Sequence, residues 1–156
     1  MTNQIRIFLT AVMFYTRIPV PKWVGYSKEN LNKATGYFPL VGIVVGAVGG
    51  GVFWLAQELL PLPIAIILSM IATILLTGAF HEDAISDFCD GFGGGYTKEQ
   101  ILTIMKDSRL GTYGAIGLVM TLLSRFVLLS NIDPAKMVVV LVAGHALSRL
   151  NAVILI

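Results

Sequence analysis

Four carboxylates lie within nine residues in the middle of this chain, at Glu82, Asp83, Asp87 and Asp90. At about 100° per residue, the three aspartates would fall within an arc of about 60° on one helix face. Carboxylates on one face repel each other, and a divalent cation removes the repulsion; oxygen ligands suit Mg²⁺ or Mn²⁺. Glu82, about 100° from Asp83, is a candidate fourth ligand or general base. The alternative is a solvated acidic face that binds nothing.

A glycine-rich stretch follows these acids directly, with glycines at 91, 93, 94 and 95. Such a backbone can bring several N–H groups close to a phosphate, so Gly91, Gly93 and Gly94 are candidate substrate-binding residues. The spacing matches neither GxGxxG nor a Walker A loop. A flexible linker would have the same composition, and the prediction of a phosphate-binding loop therefore depends on the neighbouring acids.

A second polar cluster combines two cations with two oxygen-bearing side chains, at Lys106, Asp107, Ser108 and Arg109. Arg binds phosphate through two parallel hydrogen bonds and Lys binds it as a point charge, so these four residues are candidate substrate ligands. The same charges would also act as a topology signal at a membrane border or as a helix C-cap. Arg17 is open to the same two interpretations.

The composition places these polar residues in a membrane protein. Hydrophobic residues make up 56% of the 156 and charged residues 13%, with a mean hydropathy of +0.81, whereas soluble domains contain about 25% charged residues. We therefore predict an all-α, polytopic helical bundle surrounded by the lipid bilayer. The net charge of +2 gives no support for nucleic-acid binding, and the single Cys89 excludes an internal disulfide.

About four membrane spans are predicted within a single domain over residues 1–156. The spans are expected at residues 37–60, 64–80, 113–129 and from 133 onward. The first span contains glycines at 42, 46 and 50, a spacing that favours close helix packing. Two further helices are not expected to cross. One is a short apolar helix over 4–16, for which a tilted span is the alternative, and a polar linker over 22–33 follows it. The other, over 98–107, begins with a capping box and is expected to lie along the membrane surface.

The distribution of Lys and Arg predicts the orientation in the membrane. Residues 1–36 contain five of these cations and residues 81–112 contain three, whereas the turn at 57–63 contains none and the turn at 131–136 contains one. Basic loops stay on the cytoplasmic side. The N-terminus and the active-site segment 81–112 are therefore predicted to face the cytoplasm from the cell inner membrane.

Four motifs, in order, resemble the cobalamin synthase family of integral-membrane adenosylcobinamide-GDP ribazoletransferases. They are TRIPVP at 16–21, FPLVG at 38–42, HEDxxxDxxDGFGGG at 81–95 and IMKDSRLGTYG at 104–114. The family's acidic run is closer to HxDGLADTADG. Residues 84–86 and 88–89 of this chain depart from it, while the three aspartates remain. Further spans belong to the family beyond position 156, so we expect this chain to be a fragment of a longer family domain.

The resemblance implies an enzyme that joins adenosylcobinamide-GDP to α-ribazole or its 5′-phosphate, releases GMP and requires Mg²⁺. In such a transfer, a metal held by the three aspartates would bridge the pyrophosphate, and Lys106 and Arg109 would neutralise its oxygens. One alternative is a CDP-alcohol phosphotransferase, although no Ala-Arg follows an Asp-Gly here. Another is a cation transporter that uses the acidic cluster. The oligomeric state is open, a homo-oligomer included.

Overall fold

The computed structural model describes residues 2–155, and over these residues the chain is all-α, as predicted. Its eight α-helices are α1 Thr2–Tyr15, α2 Lys28–Ala34, α3 Phe38–Gln57, α4 Leu62–Thr77, α5 Phe80–Gly94, α6 Lys98–Ile104, α7 Thr112–Ser130 and α8 Met137–Ile154. Short 3-10 turns cover Lys22–Val24, Thr35–Tyr37 and Pro134–Lys136. The contacts divide these helices into two compact units, one of α1–α4 with α8 and the other of α5–α7.

Three helical stretches of the described chain are long and apolar enough to cross a membrane. They are Lys28–Gln57, Thr112–Ser130 and Pro134–Ile154. The 16-residue α4 is about 24 Å long, and it qualifies only when it is counted with α5 as one broken span, which would make four. The prediction of a multi-pass protein is confirmed with three to four candidate spans. The second predicted span ends three residues early, at Thr77.

Helix α3 is the central helix of the first unit because its glycines let two other helices approach its backbone. A Cβ added to the glycines at 42, 46 or 50 would meet α8, at His145 O, Val142 Cα and Val138 Cγ1 respectively. Gly49 faces α4 instead, where the Ser69 hydroxyl donates to its carbonyl at 2.8 Å. The predicted close packing of this glycine face is confirmed.

The N-terminal helix α1 packs against this unit along one apolar face. Ile7, Ala11 and Val12 are buried there, in a cluster with residues of α2 and α3. The predicted helix over 4–16 is confirmed with a start two residues earlier. The predicted polar linker over 22–33 is wrong in its second half, because α2 begins at Lys28 with Ser27 as its N-cap.

In the second unit, α5 and α7 run antiparallel with small residues between them. A Cβ added to Gly114 would meet Asp90 and Ser86, and one added to Gly117 would meet Cys89. Helix α6 packs on the end of α5 through Ile101 and Met105. The thiol of Cys89 thus packs against the backbone of α7 at Gly117.

Candidate active site

Asp83 and Asp87 lie one turn apart on α5, in the acidic segment for which the sequence predicts a metal site. Asp83 is exposed and Asp87 is half-buried. Within residues 2–155, neither carboxylate has a hydrogen bond or an ion pair. The side chains are therefore available to an external ligand, and their i, i+4 spacing places them on neighbouring points of one helix face.

Asp90 is the third aspartate of the predicted stripe, and its carboxylate already has two donors. Its Oδ2 accepts from the Gly111 amide at 2.7 Å and its Oδ1 accepts from the Gly114 amide at 2.7 Å. Both amides belong to the first turn of α7, where intrahelical acceptors are lacking and a negative charge is favoured. Asp90 is thus a capping residue of α7, whatever else it binds.

Glu82 faces a different neighbour from the aspartates. Its Oε2 is enclosed by protein and accepts no hydrogen bond within the described chain. The guanidinium of Arg125, on α7, is close enough to Glu82 for an electrostatic interaction. This interaction directs Glu82 towards α7.

The predicted glycine loop is wrong in its conformation. Gly91, Gly93 and Gly94 belong to the last turns of α5, and the Gly95 amide donates to the Gly91 carbonyl at 2.9 Å. Amides inside a helix point along its axis to carbonyls one turn earlier, so they do not form a cradle for phosphate. These glycines serve packing instead: a Cβ on Gly91 would lie 2.6 Å from Met105 Cγ, and one on Gly93 would meet the Tyr113 ring.

The second polar cluster lies in the turn between α6 and α7. The capping box of Thr97 and Gln100 is confirmed, but α6 ends at Ile104, three residues before the predicted end. Lys106 and Arg109 are therefore not presented by one helix face. Lys106 and Ser108 are exposed.

Asp107 holds Arg109 within that turn. The Arg109 guanidinium donates from Nε to Oδ1 at 3.0 Å and from Nη2 to Oδ2 at 2.6 Å, and the Arg109 amide donates to Oδ1 at 3.1 Å. These hydrogen bonds lower the pKa of Asp107 and raise the pKa of Arg109. Both side chains remain accessible to solvent, so a phosphate could compete for the Arg109 fork.

Arg17 lies in the first unit, at the end of α4. Its backbone amide donates to the Leu76 carbonyl at 2.7 Å, and a Cβ on Gly78 would lie 2.7 Å from its Nε. Gly78 and Ala79, which connect α4 to α5, both have positive φ angles, of 68° and 60°. Arg17 therefore packs on Gly78 at the end of α4, a structural role that the sequence pattern did not suggest.

The residues fit a magnesium site of two protein carboxylates rather than three. No group of three or more His, Cys, Asp or Glu side chains in the described chain could hold a metal ion. Magnesium commonly takes only one or two carboxylates and completes its octahedron with water and substrate phosphates. Asp83 and Asp87 meet this requirement, whereas the oxygens of Asp90 would have to be shared with two amides.

Three glycines at the start of α7 form a packing face that the sequence motifs do not identify as a set. Gly111, Gly114 and Gly117 recur every three residues and face α5, where added Cβ atoms would meet Asp90, Ser86 and Cys89. The signal in the sequence was this spacing at the start of a predicted span, which permits close backbone approach.

The comparison with known proteins decides the family. The family model described as cobalamin-5-phosphate synthase matches residues 7–156. The chain belongs to this family. The adenosylcobinamide-GDP ribazoletransferase of Shewanella frigidimarina is 53% identical over 153 residues, which are 96% of this chain and 59% of that protein. The same-named protein of Shewanella oneidensis is 48% identical over 157 residues, 99% of this chain and 60% of its own length.

The chain thus spans about three-fifths of the length of these curated relatives. No solved structure matches significantly. The match to the cobalamin-5-phosphate synthase family confirms the resemblance carried by the four motifs, and it includes every candidate site residue from Arg17 to Arg109. The candidate spans make this family member a multi-pass membrane protein.

Proposed function

We propose that the protein joins adenosylcobinamide-GDP to α-ribazole or its 5′-phosphate with release of GMP, the last assembly step of cobalamin biosynthesis. The observation that carries the proposal is the pair of carboxylates without a protein partner, Asp83 and Asp87, on a helix within the family match. The names of the relatives, which are 53% and 48% identical to this chain, support this substrate class.

The proposed reaction is a substitution at phosphorus. A ribose hydroxyl oxygen forms a bond to the phosphorus on the cobinamide side, and the phosphoanhydride bond to GMP breaks. The hydroxyl proton passes to a base, and GMP leaves with the electron pair of the broken bond. Such a transfer depends on positioning and charge neutralisation more than on covalent chemistry by the protein.

The chain's own residues would share this work. Asp83 and Asp87 would hold Mg²⁺, which when bound supplies charge stabilisation to the pyrophosphate oxygens. Lys106 and Arg109 would neutralise phosphate oxygens, with Arg109 exchanging Asp107 for the substrate. Glu82 balances Arg125 in this proposal and is not needed as a ligand.

The test is GMP formation from adenosylcobinamide-GDP and α-ribazole by the protein in membranes, with the Shewanella frigidimarina relative as a positive control. Asp87→Asn should lower turnover about 100-fold or more, because loss of even an outer-shell partner of a metal costs 10–100-fold. Glu58→Gln, at an exposed acid beyond α3, is the matched control and should be normal. The assay uses the intact protein, and GMP release by the relative but not by the intact protein would refute the function. Release of CMP from a CDP-alcohol would favour the phosphotransferase.

Arg109→Lys tests the phosphate ligand separately. Lys retains the charge but cannot reproduce the two parallel hydrogen bonds of a guanidinium. We expect normal membrane insertion and a kcat/KM lowered about 10-fold, about 1.4 kcal/mol of transition-state stabilisation. Unchanged kinetics would mean that Arg109 serves only as a positive charge that sets the membrane topology.

We further propose that segment 81–112 faces the cytoplasm from the inner membrane. The support is the alternation of basic loops along the chain. Cysteines placed at Ser27 or Thr97 should react with an impermeant thiol reagent only from the cytoplasmic side, and a cysteine at Gln57 only from the outside. These experiments use a Cys89→Ser background, and labelling of the Thr97 position from outside would reverse the orientation.

A further inference from the structure

The Asp90 carboxylate links two helices through a pair of hydrogen bonds that no side chain of α7 provides. Helix α7 begins after Gly111, which has no side chain to cap it, and no residue of α7 caps its own N-terminus. Asp90 supplies this cap from α5, with both oxygens at 2.7 Å from the Gly111 and Gly114 amides. These are the amides of the N-cap and N3 positions, and a carboxylate there is also stabilised by the helix dipole.

The surroundings of Asp90 are shaped to its carboxylate. A Cβ on Gly111 or Gly114 would collide with the Asp90 oxygens, and on Gly114 it would also lie 2.5 Å from Ser86 Oγ. Only glycine at both positions lets the carboxylate reach the N-cap amide and the N3 amide together. The two glycines and the acid thus form one interlocking contact, which we name the Asp90 clamp.

The clamp also determines where the turn at 105–111 lies. At the far end of that turn, Gly111 is bound to Asp90. At the near end, Met105 packs on Gly91, where an added Cβ would lie 2.6 Å from its Cγ. Both ends of a seven-residue turn are therefore attached to adjacent residues of α5.

We propose that Asp90 is a positioning residue, which holds the turn carrying Lys106 and Arg109 in a set register against the helix that carries Asp83 and Asp87. Asp87 precedes Asp90 by three residues, about 4.5 Å along the axis. The turn's cations are thereby kept close to the unpartnered carboxylates, as recognition of a nucleoside diphosphate would require. This inference deepens the proposed function and rests on it for the nature of the substrate, but the clamp itself can be tested without the reaction.

The first test is amide hydrogen exchange of the detergent-solubilised full chain. An Asn at position 90 has one oxygen acceptor, and its NH₂ group would face an N–H donor. Asp90→Asn should speed exchange at the first turn of α7 at least 10-fold and speed trypsin cleavage after Arg109. Asp87→Asn, the matched loss of one charge on the same helix, should change neither. Unchanged protection at Gly111 and Gly114 in Asp90→Asn would overturn the proposal.

The second test separates positioning from metal binding. Mn²⁺ alone is titrated into each variant and followed by electron paramagnetic resonance. We expect Asp90→Asn to bind Mn²⁺ within about 3-fold of the wild type and Asp87→Asn to bind it at least 10-fold more weakly. Loss of Mn²⁺ binding in Asp90→Asn would make Asp90 a ligand and overturn its assignment as a positioning residue.

Gly114→Ala disrupts the clamp while leaving every carboxylate in place, so it stands in if Asp90→Asn does not fold. It should speed exchange of the same amides and keep Mn²⁺ binding; retained protection of these amides would contradict the clamp.

In the kinetic assay, Asp90→Asn and Gly114→Ala should each raise the KM for adenosylcobinamide-GDP at least 10-fold, a larger factor than the one by which they lower kcat. If the intact wild-type protein shows protected Gly111 and Gly114 amides but releases no GMP, the proposed function is refuted and the role of Asp90 in the turn stands.

Discussion

Alanine at Gly46 should destabilise the first unit, whereas alanine five residues away on the same helix should stabilise it. A Cβ on Gly46 would lie 2.6 Å from Val142 Cα and 2.7 Å from the Leu141 carbonyl oxygen, both backbone atoms of α8. Backbone cannot rotate away as a side chain can, so the two helices must separate. A Cβ on Gly51 meets nothing within 4 Å, and Gly51→Ala is therefore the matched control.

The size of the effect follows from comparing the two variants. Replacing glycine by alanine inside a helix contributes about 0.5–1 kcal/mol in favour of folding, and this contribution is shared by both variants. Overpacking costs about 1–3 kcal/mol, because separating two packed surfaces by 0.5–1 Å loses a quarter to a half of each van der Waals contact. The difference between the variants isolates that cost, which corresponds to a factor of about 5 to 150 in the unfolding equilibrium constant.

The assay is unfolding in mixed micelles of dodecylmaltoside and increasing SDS, followed by far-ultraviolet circular dichroism. Gly51→Ala should unfold at a higher SDS fraction than the wild type, and Gly46→Ala at a lower one. Equal midpoints for the two variants would refute the close contact of α3 with α8 at Gly46. A more stable Gly46→Ala would refute the whole argument from glycine packing.

Two further outcomes test hydrogen bonds outside this contact. Ser69→Ala removes the buried donor to the Gly49 carbonyl and should cost about 0.5–1 kcal/mol in the same unfolding assay; no change would mean that the carbonyl finds another donor. The Asp107–Arg109 pair should be intact above the ordinary carboxyl pKa and lost as the pH falls through the lowered pKa of Asp107. Carboxyl ¹³C shifts should give that low midpoint, and Arg109→Gln should return it to the ordinary range.

The helices and their packing face were predictable because their signals are local. Apolar runs of about twenty residues predict spans, and the 3.6-residue period places Gly42, Gly46 and Gly50 on one face. The capping box at Thr97 predicts the first turn of α6 directly. The glycine spacing and the capping box each depend on residues less than three turns apart, and both are present in the structure.

The glycines after Asp90 could not be assigned in the same way. Their composition is equally compatible with a loop and with a helix packed tightly on neighbours. What selects the helix is contact with Met105 and Tyr113, which follow in later elements. The role of Asp90 likewise depends on amides 21 and 24 residues further along the chain. The spacing of residues within one helix therefore cannot predict these contacts.

The acidic stripe also shows why spacing alone does not determine which carboxylates bind a metal. Repulsion among three aspartates was the reason to expect a cation, but the amides and dipole of α7 offset the charge of Asp90 without one. The repulsion that remains, between Asp83 and Asp87, costs only a few tenths of a kcal/mol in a helix exposed to water. Charge repulsion is thus too weak to require a metal here. The case for one depends instead on two carboxylates that no protein group satisfies, on a helix that the family match includes.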